Sequence, residues 1–474
     1  MRKSFEVVKS NCALILKLGA GFFADAYDLF VIDIVLSVFN EIDTEDPTGL
    51  GYTSSMKSLI ASATAFGAIV GMILFGFVGD LVGRRLAVLI TGSLVACGSI
   101  LSACCMRSDS FPLITQLVIC RAILGVGIGG EYPLSATIAS EGSSWEIRDR
   151  VVAGVFSMQG FGTLTSAALA CILFKCGASL EFTWRFLLAF GCVPALVALK
   201  FRIAMHEYRP SSVRSQADSV DSHIGDLAIA KSPVAVPSPV SVTLVGEKCV
   251  LCPPVAPCVS TNPCVPHGRS HWSVIWEYRR CLFGTSLCWF LLDVTFYGTG
   301  EFKHSVGESI NGNSSAESAA LFALYISIIA LPGYLCTVFF ITKIGRWRLQ
   351  CGGFFVMVLT YIGMAVSIHY EAPPGVQLFV FGASFFATNF GPNATTFIIP
   401  SEIFPSFVRA ICHGMSAAFG KAGAVVGGAG FPVAESAIGL ANVMFICSGI
   451  AFCGFLTTII VLPKRLVQPT RSTY

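Results

Sequence analysis

The sequence predicts an all-α polytopic membrane protein whose twelve spanning helices form two pseudo-symmetric six-helix halves. Three observations predict it: scarcity of charge, twelve separate apolar segments, and short motifs that recur at a nearly constant offset. Hydrophobic residues make up 54% of the 474 and charged residues only 12%. Soluble domains carry about 25% charged residues, so this chain could not cover a water-facing surface and needs a lipid bilayer as its main solvent. A net charge of +3 without a run of basic residues gives no footing for nucleic-acid binding.

The apolar segments centre on Ala13–Phe39, Ser58–Val78, Ala87–Cys105, Pro112–Ala139, Val151–Phe174, Trp184–Ile203, Cys281–Thr299, Ala319–Ile341, Cys351–Ile368, Val376–Ile399, Ala410–Phe431 and Leu440–Leu462. Each approaches the roughly 20 residues that a helix needs to cross hydrocarbon. The first follows MRKSFEVVKSNC and holds acids in its apolar stretch. With no small-residue cleavage site, it is expected to be a span and not a removed signal peptide. Most of the 19 cysteines stand singly inside apolar segments, where cysteine behaves as a small hydrophobe.

The connections alternate in charge. One set holds Arg84 and Arg85, Arg148 and Arg150, Arg202 with Arg209, Lys343 with Arg346 and Arg348, Arg409, and Lys464 with Arg465. The other holds the acidic stretch Asn40–Asp46, the Ser108–Ser110 link and Gly300–Glu317. The positive-inside rule places the first set, and with it both termini, in the cytoplasm. Residues 1–204 and 276–474 are the expected six-helix bundles. Residues 205–275, rich in Ser, Pro and Val, read as a disordered cytoplasmic linker. Within it Cys249, Cys252, Cys258 and Cys264, with His267 and His271, resemble zinc-ligand spacing. A single CxxC crowded by prolines reads better as a cysteine-containing loop, and no metal or other cofactor is expected. Asn313-Ser314-Ser315 is a glycosylation sequon on the expected outer face.

Gly83-Arg84 recurs as Gly345-Arg346, an offset of 345 − 83 = 262. Ser140-Glu141, followed by Arg148, recurs as Ser401-Glu402, followed by Arg409, an offset of 401 − 140 = 261. Two ordered matches at equivalent loops argue for duplication, the architecture of transporters with a midplane site. The same shift of 262 carries Glu131 onto Asn393 and Gln159 onto Lys421. All four are polar residues inside spans, and facing halves should turn them toward one cavity. For Asn and Gln, separate contacts between neighbouring helices compete with that reading. For Glu131 and Lys421 they compete less well, since an ionisable group at mid-membrane costs roughly 2.5–3.5 kcal/mol.

The first span adds Asp25 and Asp28 on one helical face, with Asp33 near that stripe but closer to the outer end. The seventh carries Trp289, Asp293 and Tyr297 at i, i+4 and i+8. One cation, several acids and the hydrogen-bonding groups Tyr132, Gln159, Trp289, Tyr297 and Asn393 suit a small oxyanion better than a sugar or an organic cation. An ionised carboxylate beside an anion repels it, and burial disfavours the ionised form. Protonating Asp293 or Glu131 therefore couples proton to anion. Energetics demands such coupling, because inward movement of one negative charge costs about 2.3 kcal/mol per 100 mV of inside-negative potential.

Gly76-x-x-x-Asp80-x-x-Gly83-Arg84-Arg85 resembles the loop signature of the major facilitator superfamily. The strings GFFADAYDLF (21–30), GIGGEYPLSATIASE (127–141), WFLLDVTFYG (289–298) and NFGPNATTFIIPSEIFP (389–405) resemble the phosphate:proton symporters of fungi and plants. That resemblance spans both halves and omits the linker. It implies phosphate ligands at Tyr132, Gln159, Trp289, Asp293, Tyr297, Asn393 and Lys421, and proton-handling acids at Asp25, Asp28 and Glu131. It also implies conformation-dependent ion pairs at Glu141, Arg148, Glu402 and Arg409 in the loops. Three features depart from the pattern: Glu131 stands where aspartate is usual, Thr342 occupies the position matching Asp80, and His206-Glu207-Tyr208 replaces a Pro-Glu-Ser/Thr signature. The expected activity is inward phosphate:proton symport at the plasma membrane, with an acidic organelle membrane as the alternative location. A glycerophosphodiester symporter of the same fold and a phosphate receptor with little flux are the competing readings. An enzyme is not expected, since the chain offers no nucleophile–base pair near a cavity and no nucleotide loop.

Overall fold

The computed structural model describes residues 2–45, 54–108, 111–144, 146–204, 270–301, 315–462 and 464. The linker from 205 to 269, with five of the six residues in its zinc-like pattern, lies outside them, as do Asn313 and Ser314 of the sequon. Every regular element among the described residues is a helix. The first half comprises α1 (Arg2–Glu45), α2 (Ser54–Leu81), α3 (Arg84–Ala103), α4 (Leu113–Glu141), α5 (Arg148–Lys175), α6 (Leu180–Phe190) and α7 (Cys192–Ile203). After the short α8 (His271–Glu277), the second comprises α9 (Arg279–Glu301), α10 (Ala316–Ile344), α11 (Arg346–His369), α12 (Pro374–Asn389), α13 (Pro392–Ile403), α14 (Arg409–Ile438) and α15 (Leu440–Ile460).

Twelve passes result because two of them are broken. The sixth is α6 plus α7, interrupted at Gly191 just before Pro194, whose missing N–H removes a helical hydrogen bond. The tenth is α12 plus α13. Its break falls at Gly391, held at φ 132°, a backbone conformation that only glycine takes without strain, and Pro392 restarts the helix at its first position. By length and apolar composition, nine helical stretches among the described residues could cross a membrane. The first, tenth and eleventh passes fall short, and these hold Asp25, Asp28, Asn389, Asn393 and Lys421. The tenth falls short because its break leaves two helices of 16 and 12 residues, while polar residues lower the apolar character of the first and eleventh.

The halves pack on each other through α2 against α14 and through α5 against α10. Large apolar side chains such as Phe339, Phe379 and Ile460 point outward, as a lipid-facing surface requires. One end of the bundle gathers Arg84, Arg148, Arg346 and Arg409 and is called the basic end below; α1 finishes at the opposite end.

Candidate functional site

Lys421, on α14, is the centre of the polar interior of the second half. Its side chain is 3% exposed. The ammonium lies 3.4 Å from Asp293 Oδ2 and donates at 2.5 Å to the Tyr297 hydroxyl. It also sits 4.2 Å from the Tyr297 ring centroid and 5.3 Å from that of Tyr132, where the negative ring face attracts a cation. Tyr132 belongs to α4, so the two halves meet around this one amine. Trp289, Asp293 and Tyr297 share a face of α9, as their spacing predicts, and Trp289 packs against Tyr132 with centroids 6.2 Å apart.

Asn393, at the start of α13, donates to Asn389 Oδ1 at 2.7 Å and to the Tyr334 hydroxyl at 3.4 Å. Gln159, on α5, lies beside the same hydroxyl. Its buried amide oxygen has no hydrogen-bond partner. Gln159 and Asn393 thus come together across the interface through Tyr334, a residue the sequence reading did not single out.

Glu131 behaves differently. Its carboxylate does not turn to Lys421 but to Arg202 on α7, with Arg202 Nη1 donating to Oε1 at 2.5 Å and Nη2 to Oε2. Thr91 Oγ1 at 2.7 Å and Ser135 Oγ at 3.4 Å complete the shell. The expectation that Glu131 and Lys421 face one cavity together is therefore corrected, because a guanidinium of the same half captures the acid. Arg202 itself, assigned by loop charge to the cytoplasm, is only 1% exposed. Asp25 lies within electrostatic reach of Glu131, Arg202 and Asp28. Asp28 accepts from Ser99 at 2.8 Å, and its carbonyl accepts from Arg121. Arg121, fully buried on α4 and reaching Thr64 at 3.3 Å, also escaped the sequence reading. Its signal was plain: an arginine within the apolar run LVICRAIL is costly unless paired.

A cleft lies on the opposite-end side of this cluster, lined by Phe30, Asp33, Thr163, Tyr334, Phe385 and Asn389 among others. Toward the basic end, aromatic rings from both halves fill the interface. Phe22 lies 4.9 Å from both Tyr132 and Phe397, and Phe156 lies 5.0 Å from Phe397. His413, fully buried, donates from Nε2 to the Phe397 carbonyl at 3.0 Å and meets the Trp289 ring edge-on at 5.6 Å.

Below the rings, the basic end carries a doubled set of contacts. Arg84 pairs with Asp80 at 2.9 Å and with Glu141 at 3.5 Å, and it reaches across to the Ser406 carbonyl at 3.1 Å. The offset equivalent of Arg84–Glu141 is Arg346–Glu402 at 2.5 Å. Arg409 crosses to Glu141 at 3.3 Å, and its equivalent, Arg148, acts electrostatically on Glu402. Asp80 accepts from the Ile411 amide at 2.9 Å, while Thr342, in the matching position, accepts from Arg150 at 2.9 Å. Where the first half uses a carboxylate, the second uses a hydroxyl that takes a guanidinium. Arg85 bonds the Ile203 carbonyl at 3.1 Å within its own half. At the opposite end, Glu41 accepts from the Ala316 amide at 2.6 Å and Lys175 pairs with Glu317 at 3.2 Å. No His/Cys/Asp/Glu group among the described residues could hold a metal ion.

Comparison with known proteins agrees with this architecture. The family profile described as "Sugar (and other) transporter" matches residues 12–214 and 277–471. "Probable inorganic phosphate transporter 1-4" of Oryza sativa subsp. indica is 34% identical over 94% of this chain and 88% of its own length. "Probable inorganic phosphate transporter 1-6" of Arabidopsis thaliana is 33% identical over 96% of this chain and 92% of its own. Among solved structures, the major facilitator superfamily proton:xylose symporter XylE bound to 6-bromo-6-deoxy-D-glucose superposes with a TM-score of 0.74, at 18% identity, over 96% of this chain and 97% of that one. That likeness speaks to the fold.

Proposed function

On the premise that the chain belongs to the sugar (and other) transporter family, we propose that it imports inorganic phosphate together with protons by alternating access. The observation that carries this reading is the buried Lys421 ammonium at the interface of the halves, flanked by Asp293, Tyr297 and the Tyr132 ring. A buried lysine supplies a compact positive charge with three donors. Asn393, Tyr297 and Tyr334 add neutral polar groups, and the Gln159 amide oxygen with the Asp293 carboxylate can accept from P–OH. Dihydrogen phosphate both donates and accepts, and such a mixed set matches it. The plant relatives named as phosphate transporters support the same substrate.

The basic end faces the cytoplasm in this reading, following the positive-inside rule, with both termini and the linker on that side of a plasma membrane. The doubled ion pairs then form the inner gate, closed here, and the cleft leads outward. Phosphate enters from outside, meets Lys421, and leaves inward after the halves rock and the pairs part. One proton compensates the anion's charge, and any further proton lets the membrane potential assist.

Purified protein in liposomes provides the test. Labelled phosphate should accumulate when the outside is acidic and the inside negative, and accumulation should cease when the proton gradient is removed at fixed voltage. Uptake unchanged by that removal sinks the coupling. Stronger inhibition by glycerophosphoinositol than by unlabelled phosphate sinks the substrate assignment, and absence of flux points to a receptor.

A further inference from the structure

Where α3 ends and α4 begins, two cysteines carry an inference that rests on the orientation taken above, with this end outward, and not on the substrate. Most cysteines of the chain stand singly in apolar segments, but Cys105 and Cys120 meet. Cys105 follows α3, is 3% exposed, and packs in one apolar cluster with the half-buried Cys120. Two anchors fix its place. Arg185 of α6 donates to the Cys105 carbonyl at 2.7 Å and to that of Ala103 at 2.9 Å. Gln116 of α4 brackets the next residue, accepting from the Met106 amide at 3.1 Å and donating to its carbonyl at 2.7 Å. Cys120 stands one turn beyond Gln116 on the same face of α4. The bracket that fixes Met106 therefore brings the two thiols beside it close enough to interact.

We propose that Cys105 and Cys120 are joined by a disulfide that staples α3 to α4 at the outer face. Thiols exposed to an oxidising exterior pair, whereas the cytoplasm keeps them reduced. The step is exchange with a small-molecule disulfide of the oxidised-glutathione class. One cysteine sulfur attacks the donor and releases its first thiol; the other cysteine then attacks that sulfur and releases the second. Two protein thiols are oxidised, one donor disulfide is reduced, and the protons lost by the cysteines end on the released thiols. Burial pushes the Cys105 thiol up to about 12, and a thiol of high pKa leaves slowly, so the closed bond resists reduction. The staple closes a loop of about 15 residues and holds α3, whose Thr91 and Ser99 bond Glu131 and Asp28, against α4. Both cysteines belong to the first half, so rocking of the halves is left free. Cys288 and Cys351 supply the contrast. They also approach each other, but near the basic end, which this orientation turns to the cytoplasm, and the Cys288 thiol lies 3.5 Å from the Thr458 hydroxyl.

Cells making the full chain are lysed directly into denaturant with N-ethylmaleimide, so that every free thiol is capped, and the protein is digested without reductant. Mass spectrometry should find the Cys105 and Cys120 peptides joined, lighter by two hydrogens than the two thiol peptides and separated by dithiothreitol. Cys288 and Cys351 should carry the cap. In liposomes, dithiothreitol should quicken exchange of the Met106 amide about tenfold in the wild type. It should leave the rate unchanged in the double variant Cys105→Ser with Cys120→Ser. Caps at both positions in the wild type, or a bond from Cys120 to Cys104, would overturn the inference, and a joined pair whose reduction leaves exchange unchanged refutes the stapling. Should the double variant fail to fold, these wild-type measurements decide alone. Cys104, exposed at the same end, separates failure of the inference from failure of the orientation. An impermeant maleimide that caps Cys104 on intact cells leaves the outward placement standing, and one that caps it only in inside-out vesicles refutes that placement.

Discussion

The two halves hold their buried charges in opposite ways. In the first, three acids (Asp25, Asp28, Glu131) lie with two arginines (Arg121, Arg202), and the bonded partners come from the same half. In the second, a single lysine and a single aspartate stand 3.4 Å apart, and the lysine turns toward rings of both halves. The scaffold beneath them is duplicated: Arg84–Glu141 matches Arg346–Glu402, and each half sends one arginine toward the other's glutamate. Divergence is thus concentrated at mid-span, at the proposed substrate site. Symmetry survives at the basic end, where the proposed gate asks the same of both halves.

Four predictions break or sharpen that contrast. Lys421→Ala should have the largest effect, lowering phosphate flux in liposomes by roughly 100-fold or more, since it removes the charge and strands Asp293. Near-normal flux would place the substrate cation elsewhere. Asp293→Asn should reduce gradient-driven uptake by about 10- to 30-fold while exchange of internal for external phosphate falls less, because the amide still accepts a hydrogen bond but carries no charge. If exchange and driven uptake fall together, Asp293 serves binding alone.

The gate should respond symmetrically. Glu141→Gln and Glu402→Gln each cut a buried pair within a half and weaken a contact between halves, and amide exchange around Ile411 should quicken about tenfold in both. A large difference between them would mean that sequence symmetry does not extend to energetics. Smallest of all, Glu41→Gln at the opposite end should quicken exchange of the Ala316–Ser318 amides by about two- to fourfold. There a carboxylate caps the first turn of α10 and meets the positive end of its dipole.

Much of this molecule was legible before its coordinates. Charge scarcity and apolar segmentation gave the twelve passes, and the offset rule found the gate pairs from Gly83, Ser140 and their repeats. The stripe Trp289, Asp293, Tyr297 lies on one face as spacing requires. What escaped was partnership. The offset rule pairs Glu131 with Asn393 because the backbone is duplicated, yet it carries no information about where a carboxylate points. Arg202 sits in the last turn of a pass, where loop-charge counting claims it, and only packing shows that it bends inward by 1%-exposed contact with Glu131. Arg121 needed a partner ninety-three positions away, beyond the reach of helical spacing. Tyr334 joins Asn393 and Gln159 through a fold contact between α5, α10 and α13 that no local pattern announces.

The bonds exchanged by Asp80 with Ile411 and by Thr342 with Arg150 lie at matching places, one for each direction of giving and receiving. In the proposed rocking of the halves, a tilt that opens this end loads both clasps together. Release at that end should therefore be cooperative, and a form of the protein held by one clasp alone should be scarce.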